Sequence, residues 1–318
     1  MPPATPSPTV AFFRGQFVPD SEACISVKTH AFLYGTSLFE GIRAYWVPEQ
    51  QSLAIFRAHE HYERLATNAN IFGMELGYTV DELVAITAEL LQRNAPTTDT
   101  YIRPTLFKDA EVIGPKLVGI PDSLSITSSP LGAYVAIDRG LSVCVSSWRR
   151  LSDNAIPPRA KAGGAYMNTA LIKSEALNNG YDDAIVLTEE GNVSEGSAMN
   201  LFIVRNGKLI TPAVTENILE GITRWTIITL AQQELGLEVE ERKVNRTELY
   251  TADEVFFCGT GAQVAPVTSV DKRPVGSGAI GQISARLQSL YFDVVKNQVP
   301  RYSSWCHMVP ITVATPTA

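Results

Sequence analysis

No apolar run in this 318-residue sequence approaches the length of a membrane span, and no segment gathers basic residues. The first absence argues against a helical membrane anchor; with an N-terminus lacking a basic and apolar leader, it predicts a cytoplasmic protein. The second, with a net charge of −7 spread along the chain, argues against nucleic acid as the main partner. Cysteine and histidine are scarce, four of each. Cys24, Cys144, Cys258 and Cys306 form no Cys-x-x-Cys pair and read as reduced, mostly buried thiols. His59 and His61 are two apart and point different ways on a helix, so no metal site is expected. These absences leave small-molecule chemistry, on a chain long enough for two domains.

What is present is a mixture of short strands and helices. Residues 1–9 read as a proline-rich tail, 10–18 as a hairpin turning at Arg14-Gly15, and 25–27 as another short strand. Residues 56–72 predict a helix with Leu65, Ile71 and Phe72 toward a core. Residues 79–94 predict another, with Thr79 as N-cap, Glu82 three residues on, and Leu83, Ile86, Leu90 and Leu91 as the apolar stripe. Strands at 100–107 and 123–127 do not alternate strictly with helices, which predicts an α+β class and not a doubly wound sheet. A composition break at 128–132 marks the expected domain boundary. The second half shows strands at 141–148, 183–187, 200–204, 208–210 and 254–257 and helices at 167–179, 221–236 and 280–296. After Pro300 there is little pattern beyond Trp305.

Chemistry concentrates in a few stretches. Lys161 stands in Arg159-Ala-Lys-Ala-Gly-Gly164, where small neighbours let backbone and a bound molecule approach closely. An amine so placed is a candidate nucleophile, able to form a Schiff base with a carbonyl substrate or with pyridoxal phosphate. Such an amine needs an anion site and a carboxylate partner. The helix opening at Gly221-Ile222-Thr223 offers free N–H groups, a hydroxyl and a positive dipole end suited to phosphate, and Gly259-Thr-Gly-Ala262 offers a second set. Glu195, an acid among small residues before an apolar strand, is placed to keep a pyridine nitrogen protonated. A literal Gly-x-Gly-x-x-Gly at Gly276, Gly278 and Gly281 is set aside, because the preceding Val270-Asp-Lys-Arg-Pro-Val275 is too charged to be a dinucleotide-binding strand.

Eight stretches, in order, resemble the branched-chain amino-acid aminotransferases of the fold-type IV pyridoxal phosphate enzymes. They are Tyr34-Gly-Thr-Ser-Leu-Phe-Glu-Gly-Ile-Arg43, His61-Tyr-Glu-Arg-Leu65, Tyr101-Ile-Arg-Pro104, Ala160-Lys-Ala-Gly-Gly164, Ser194-Glu-Gly196, Asn200-Leu-Phe202, Gly221-Ile-Thr-Arg224, and Ala252-Asp-Glu-Val255 with Gly259-Thr260. The resemblance covers roughly residues 30–270. It implies a two-domain, D-amino-acid-aminotransferase-like α+β fold, with a small N-terminal domain (1–129), an interdomain loop (130–137) and a larger C-terminal domain (138–318), pyridoxal 5'-phosphate in the interdomain cleft, and a homodimer or higher homo-oligomer.

By this resemblance Lys161 is the Schiff-base lysine and proton shuttle, Glu195 the partner of the pyridine nitrogen, and Tyr166 a neighbour of the phenolic oxygen. Arg64, Ile222, Thr223 and Thr260 hold the phosphate with backbone at Gly196; Tyr34, Phe39, Tyr101, Arg103 and the Gly261-Ala262 backbone line the substrate pocket. The implied reaction is ping-pong transamination of leucine, isoleucine or valine with 2-oxoglutarate. Residues 107–116 depart from a glycine-rich stretch common in bacterial members. Relatives acting on D-amino acids or (R)-amines are the alternative; the full Tyr34-to-Arg43 and Tyr101-to-Arg103 motifs favour the branched-chain group.

Overall fold

The computed structural model describes residues 9–132 and 138–312. The expected tail, apart from Thr9, and most of the expected interdomain loop therefore lie outside the described residues. The chain divides into two compact units, one of Met1–Gly132, Ala162–Gly164 and Val295–Ala318, the other of Ala133–Lys161 and Ala165–Val294.

The first unit is built on an eight-stranded antiparallel sheet. Its early strands are β1 (Val10–Phe13), β2 (Gln16–Pro19), β3 (Ser37–Phe39), β4 (Ile42–Val47), β5 (Ser52–Phe56), β6 (Thr100–Lys108) and β7 (Asp122–Pro130). They run in the order β5-β4-β6-β7-β1-β2, with β3 on β6. Arg14 (φ 51°) and Gly15 (φ 85°) turn the β1–β2 hairpin, the positive φ pair that a two-residue hairpin loop requires. Helices α1 (His30–Tyr34), α2 (Ala58–Phe72) and α3 (Val80–Asn94) complete the unit. Thr79 and Glu82 form the reciprocal capping box that starts α3, and Leu83, Leu90 and Leu91 are buried.

Three expectations are corrected. Residues 25–27 form no strand; Ile25 and Val27 are exposed, and no neighbouring strand pairs with them. Ile71, expected in the core, lies exposed on the last turn of α2. The C-terminal segment Cys306–Pro310 pairs antiparallel with β5 and extends the first sheet, so it is not part of the second unit.

The second unit carries a nine-stranded mixed sheet. Its strands are β8 (Leu141–Arg149), β9 (Asp183–Leu187), β10 (Val193–Gly196), β11 (Asn200–Arg205), β12 (Lys208–Pro212), β13 (Val239–Arg242), β14 (Glu254–Gly259), β15 (Gln263–Val270) and β16 (Arg273–Pro274). The order is β10-β9-β8-β15-β14-β11-β12-β13, with β16 on β15. Both faces are covered in its centre, which is why its strands read as apolar runs. Val143, Ile185, Leu201, Ile203, Val255 and Phe257 enter one core cluster, whereas Cys144, Ala184 and Val186 meet Ile172 and Ala176 of α4 (Tyr166–Asn178). Burying a side chain such as Ile172 contributes about 1.5–3 kcal/mol. The outward face of α4 is also apolar: Met167, Leu171 and Leu177 are exposed.

Helices α5 (Ile222–Leu235) and α6 (Gln282–Val295) follow the predicted positions closely. The rejected glycine motif proves to be a close-packed turn. The Glu254 carboxylate accepts from the Ile283 and Ser284 N–H groups at 2.9 and 2.7 Å, occupying the opening of α6 that a dinucleotide phosphate would need. A Cβ on Gly281 would lie 1.9 Å from Glu254 Cδ. Among the described residues no helix is long and apolar enough to cross a membrane, and no cluster of metal-ligating groups occurs. The four cysteines are free, with only Cys24 exposed.

Candidate active site

In the second unit the chain brings the predicted amine, phenol, carboxylate and helix opening into one sheet-based framework. Lys161 follows β8 and precedes α4; its Nζ donates to Tyr166 Oη at 2.7 Å. The glycines after it have a packing reason. In the first unit Gly164 N–H donates to Gly35 O at 3.0 Å, and a Cβ on Gly163 would fall 2.3 Å from Ser37 Oγ. A side chain at 163 would have to turn the Ser37 hydroxyl aside, whereas a Cβ on Gly35 would lie 2.9 Å from Gly164 Cα, a backbone contact with no such relief.

Glu195 lies on β10, whose register against β9 shifts between Val193 and Glu195. Such a bulge re-aims a side chain. It is buried, 3% exposed, and its carboxylate accepts from three donors. Oε2 takes Asn200 Nδ2 at 3.0 Å and Leu219 N–H at 3.1 Å, while Oε1 faces Arg150 Nη2 at 2.8 Å. Burial pushes the Glu195 carboxyl above its ordinary range, and Arg150, Leu219 N–H, Lys161 and Arg224 offset this only in part. A carboxylate accepts about four hydrogen bonds, so one position on Oε1 remains for an additional donor.

The opening of helix α5 is the candidate anion site. Gly221 is its N-cap and no side chain caps its first N–H groups, which leaves orphan donors at the positive dipole end. Thr223, 4% exposed, adds a buried hydroxyl. Arg224 fixes the first turn by donating to Pro212 O at 3.0 Å and Glu241 at 2.6 Å. Asn200 joins this opening to the acid: its Nδ2 also donates to Leu219 O at 2.8 Å, and a Cβ on Gly221 would lie 1.9 Å from its Oδ1. Thr260, Gly261 and Ala262 form the tight connection between β14 and β15, whose ends pair at Gly259 and Gln263. Gly196 N–H donates to Met199 O at 2.7 Å, so what this residue offers a ligand is its missing side chain.

In the first unit the tripeptide Phe39-Glu40-Gly41 organises the remaining predicted residues. Arg103 stacks on Phe39, its Cζ 4.2 Å from the ring centre, and donates to Tyr101 Oη at 2.6 Å. Gly41 is required there because a Cβ would fall 2.5 Å from Tyr101 Oη. Arg64 donates to buried Glu40 through Nε at 2.7 Å and Nη2 at 2.8 Å, and His61 Nδ1 meets the same carboxylate at 2.8 Å. Tyr34, on α1, accepts from Gly114 N–H at 3.0 Å, while buried His30 holds Gly114 O through Nε2 at 3.0 Å. The residues that sequence reasoning did not assign are Glu40, Arg150, Asn200 and Arg224. Three of these stand inside quoted motifs, whereas Arg150 carries no local signal.

A buried carboxylate with a spare acceptor, an amine held by a phenol and an uncapped helix opening suit one molecule with a ring nitrogen, an aldehyde and a phosphate. The amino-transferase class IV family model matches residues 37–270, and the chain belongs to that family. It is 52% identical over 296 residues to a probable branched-chain-amino-acid aminotransferase of Aquifex aeolicus (strain VF5), covering 93% of this chain and 95% of that protein. Against the branched-chain-amino-acid aminotransferase of Escherichia coli (strain K12) the identity is 39%, covering 94% and 96%. The crystal structure of the branched-chain aminotransferase of Thermoproteus uzoniensis with norvaline superposes with TM-score 0.91 at 38% identity, covering 95% of this chain and all of that one. The branched-chain amino acid aminotransferase of Thermobaculum terrenum in its PLP (holo) form gives TM-score 0.90 at 39% identity, covering 96% and 99%. The fold is thus the α+β fold of type IV pyridoxal phosphate enzymes.

Proposed function

We infer that this chain catalyses pyridoxal-phosphate-dependent transamination of leucine, isoleucine and valine with 2-oxoglutarate, giving branched-chain 2-oxo acids and L-glutamate. The observation that carries the reading is the pairing, in one unit, of the Lys161 amine on Tyr166 Oη (2.7 Å) with the buried Glu195 carboxylate. When bound, the cofactor supplies an aldehyde for amine exchange and a protonated ring that takes up the electrons of the substrate's Cα–H bond. Lys161 Nζ, steadied by Tyr166 Oη, would take the Cα proton and pass it to the bound cofactor within the first half-reaction, and would move a proton the opposite way, back to Cα, in the second. Glu195 keeps the proton on the ring nitrogen. The Ile222 and Thr223 N–H groups, the Thr223 and Thr260 hydroxyls and Arg64, oriented by Glu40, bind phosphate. Tyr34, Phe39, Tyr101 and the Gly261-Ala262 backbone receive the substrate, and Arg103 is the cation for the second carboxylate of glutamate.

The same reading takes the enzyme to be cytoplasmic and a homodimer or larger. Support for a second copy comes from α4, apolar on both faces, and from exposed Phe32, Leu33, Val112 and Ile113 around the Tyr34–Gly114 contact. Sedimentation of the purified protein as a monomer at micromolar concentration would remove that part. The function itself is tested by mixing holoenzyme with single amino acids and following the cofactor's visible band. L-leucine, L-isoleucine, L-valine and L-glutamate should each bleach it; bleaching by D-alanine and (R)-1-phenylethylamine alone would reject the substrate assignment.

A further inference from the structure

Glu195 needs a countercharge that persists through turnover. Its carboxylate is 3% exposed, and desolvating such a group costs several kcal/mol unless a charge and hydrogen bonds compensate. Three cations act on it: Arg150, Lys161 and Arg224. Lys161 is the reacting amine, so its charge is not constant. Arg224 is tied to Glu241 at 2.6 Å and Pro212 O at 3.0 Å. Among the described residues, Arg150 is the cation in direct contact with Glu195, its Nη2 2.8 Å from Oε1. A guanidinium remains charged at any working pH. Its side chain is itself nearly buried, 10% exposed, and is fixed at two further points: Nε donates to Asn217 O at 3.2 Å, and its backbone N–H to Leu187 O at 2.9 Å. That oxygen of Asn217 belongs to a residue at φ 55°, a left-handed conformation that aims the peptide at the guanidinium.

We propose that Arg150 is a positioning residue that acts through Glu195, holding that carboxylate ionised and leaving one Oε1 acceptor position toward the cofactor's ring nitrogen. The inference rests on the reading of Glu195 given above. Asn200 and Leu219 N–H orient Oε2, and Arg150 alone of the contacts supplies charge. Without it, the buried carboxylate would lose its one contacting charge and burial would favour its neutral form, which does not hold a proton on a pyridine nitrogen.

The first test uses the cofactor-free full chain with 13C-labelled glutamate carboxyls, the Glu195 resonance being assigned by its loss in Glu195→Gln. Arg150→Met should raise the Glu195 titration midpoint by about 1–3 pH units, and Arg150→Lys, which keeps a charge, should raise it less. An unmoved midpoint in Arg150→Met overturns the proposal. The second test measures pyridoxal phosphate affinity by titration in a double-mutant cycle. Arg150→Met should weaken binding by about tenfold or more in the native background and less than about twofold in the Glu195→Gln background. Equal weakening in both backgrounds places the action of Arg150 elsewhere and also overturns it. A midpoint that moves while Glu195→Gln binds the cofactor as the native chain does would instead refute the assignment of Glu195 to the ring. Should Arg150→Met alone fail to fold, the double variant, which removes both charges, is expected to fold; its failure would count against the proposal.

Discussion

Replacing Glu40 by glutamine removes the negative charge from a buried cluster that holds a guanidinium and an imidazole. Arg64 contacts both oxygens at 2.7 and 2.8 Å, and His61 Nδ1 shares Oε2 at 2.8 Å. Glutamine keeps the shape but offers one oxygen and one NH2, so a guanidinium donor that met an acceptor now meets another donor. Breaking a buried pair from one side costs about 3–5 kcal/mol. At about 1.4 kcal/mol per decade that is roughly two to three and a half decades in the unfolding constant. The dependence on pH gives an independent check. Burial pushes the Glu40 carboxyl up, but Arg64 and His61 outweigh it and hold the group well below the ordinary carboxylate range. A depressed folded-state pKa means the stabilisation is full above the unfolded value of about 4.3 and is lost as pH falls below it. Urea denaturation followed by tryptophan fluorescence should therefore show a native-minus-variant gap that is wide near neutrality and narrower in acid. A Glu40→Gln variant within about 1 kcal/mol of the native chain at neutral pH, or a gap that does not change in acid, would refute the reasoning.

Four other outcomes are expected. Gly221→Ala places a Cβ 1.9 Å from Asn200 Oδ1 and must swing the amide off Glu195 and Leu219 O; cofactor titration should show affinity reduced about tenfold or more, and native affinity would contradict it. Tyr166→Phe deprives Lys161 Nζ of its 2.7 Å partner, and kcat should fall roughly 10- to 100-fold with cofactor retained, as steady-state assay of the loaded enzyme will read. Arg103→Leu should raise KM for L-glutamate about 10- to 100-fold while that for L-leucine changes little; equal rises would count against its role as the carboxylate cation. Gly281→Ala drives a Cβ to 1.9 Å from Glu254 Cδ and disturbs the carboxylate at the start of α6, costing about 1 kcal/mol or more in thermal unfolding without altering the cofactor band.

Local signals in the sequence were enough for features whose causes are local. The positive-φ hairpin at Arg14-Gly15, the Thr79–Glu82 capping box and the start of α5 at Gly221 were legible because neighbouring residues determine them. Lys161 and Glu195 stood out as candidates because small residues surround a reactive group, and Thr223 because it sits at a glycine-led helix opening. The buried networks were not. Glu40 with Arg64 and His61, and Arg150 with Glu195, are separated in sequence and meet only after the sheets form, so no spacing rule exposes them. Residues 25–27 have the apolar composition of a strand but lack a partner, and composition cannot supply one. The strand Cys306–Pro310 is short, ends in proline and alternates poorly, so its place beside β5 comes from tertiary pairing alone.

That last pairing matters during synthesis. A ribosome releases β5 long before Cys306 is made, an interval of tens of seconds at ordinary elongation rates. Throughout it the nascent chain presents Leu53, Ala54 and Ile55 along an unsealed border of its first sheet, where another growing chain could add a strand. Stop codons that leave the first sheet encoded but fall before residue 306 would make that border permanent, and such fragments should collect in inclusion bodies rather than remain as soluble, merely inactive protein.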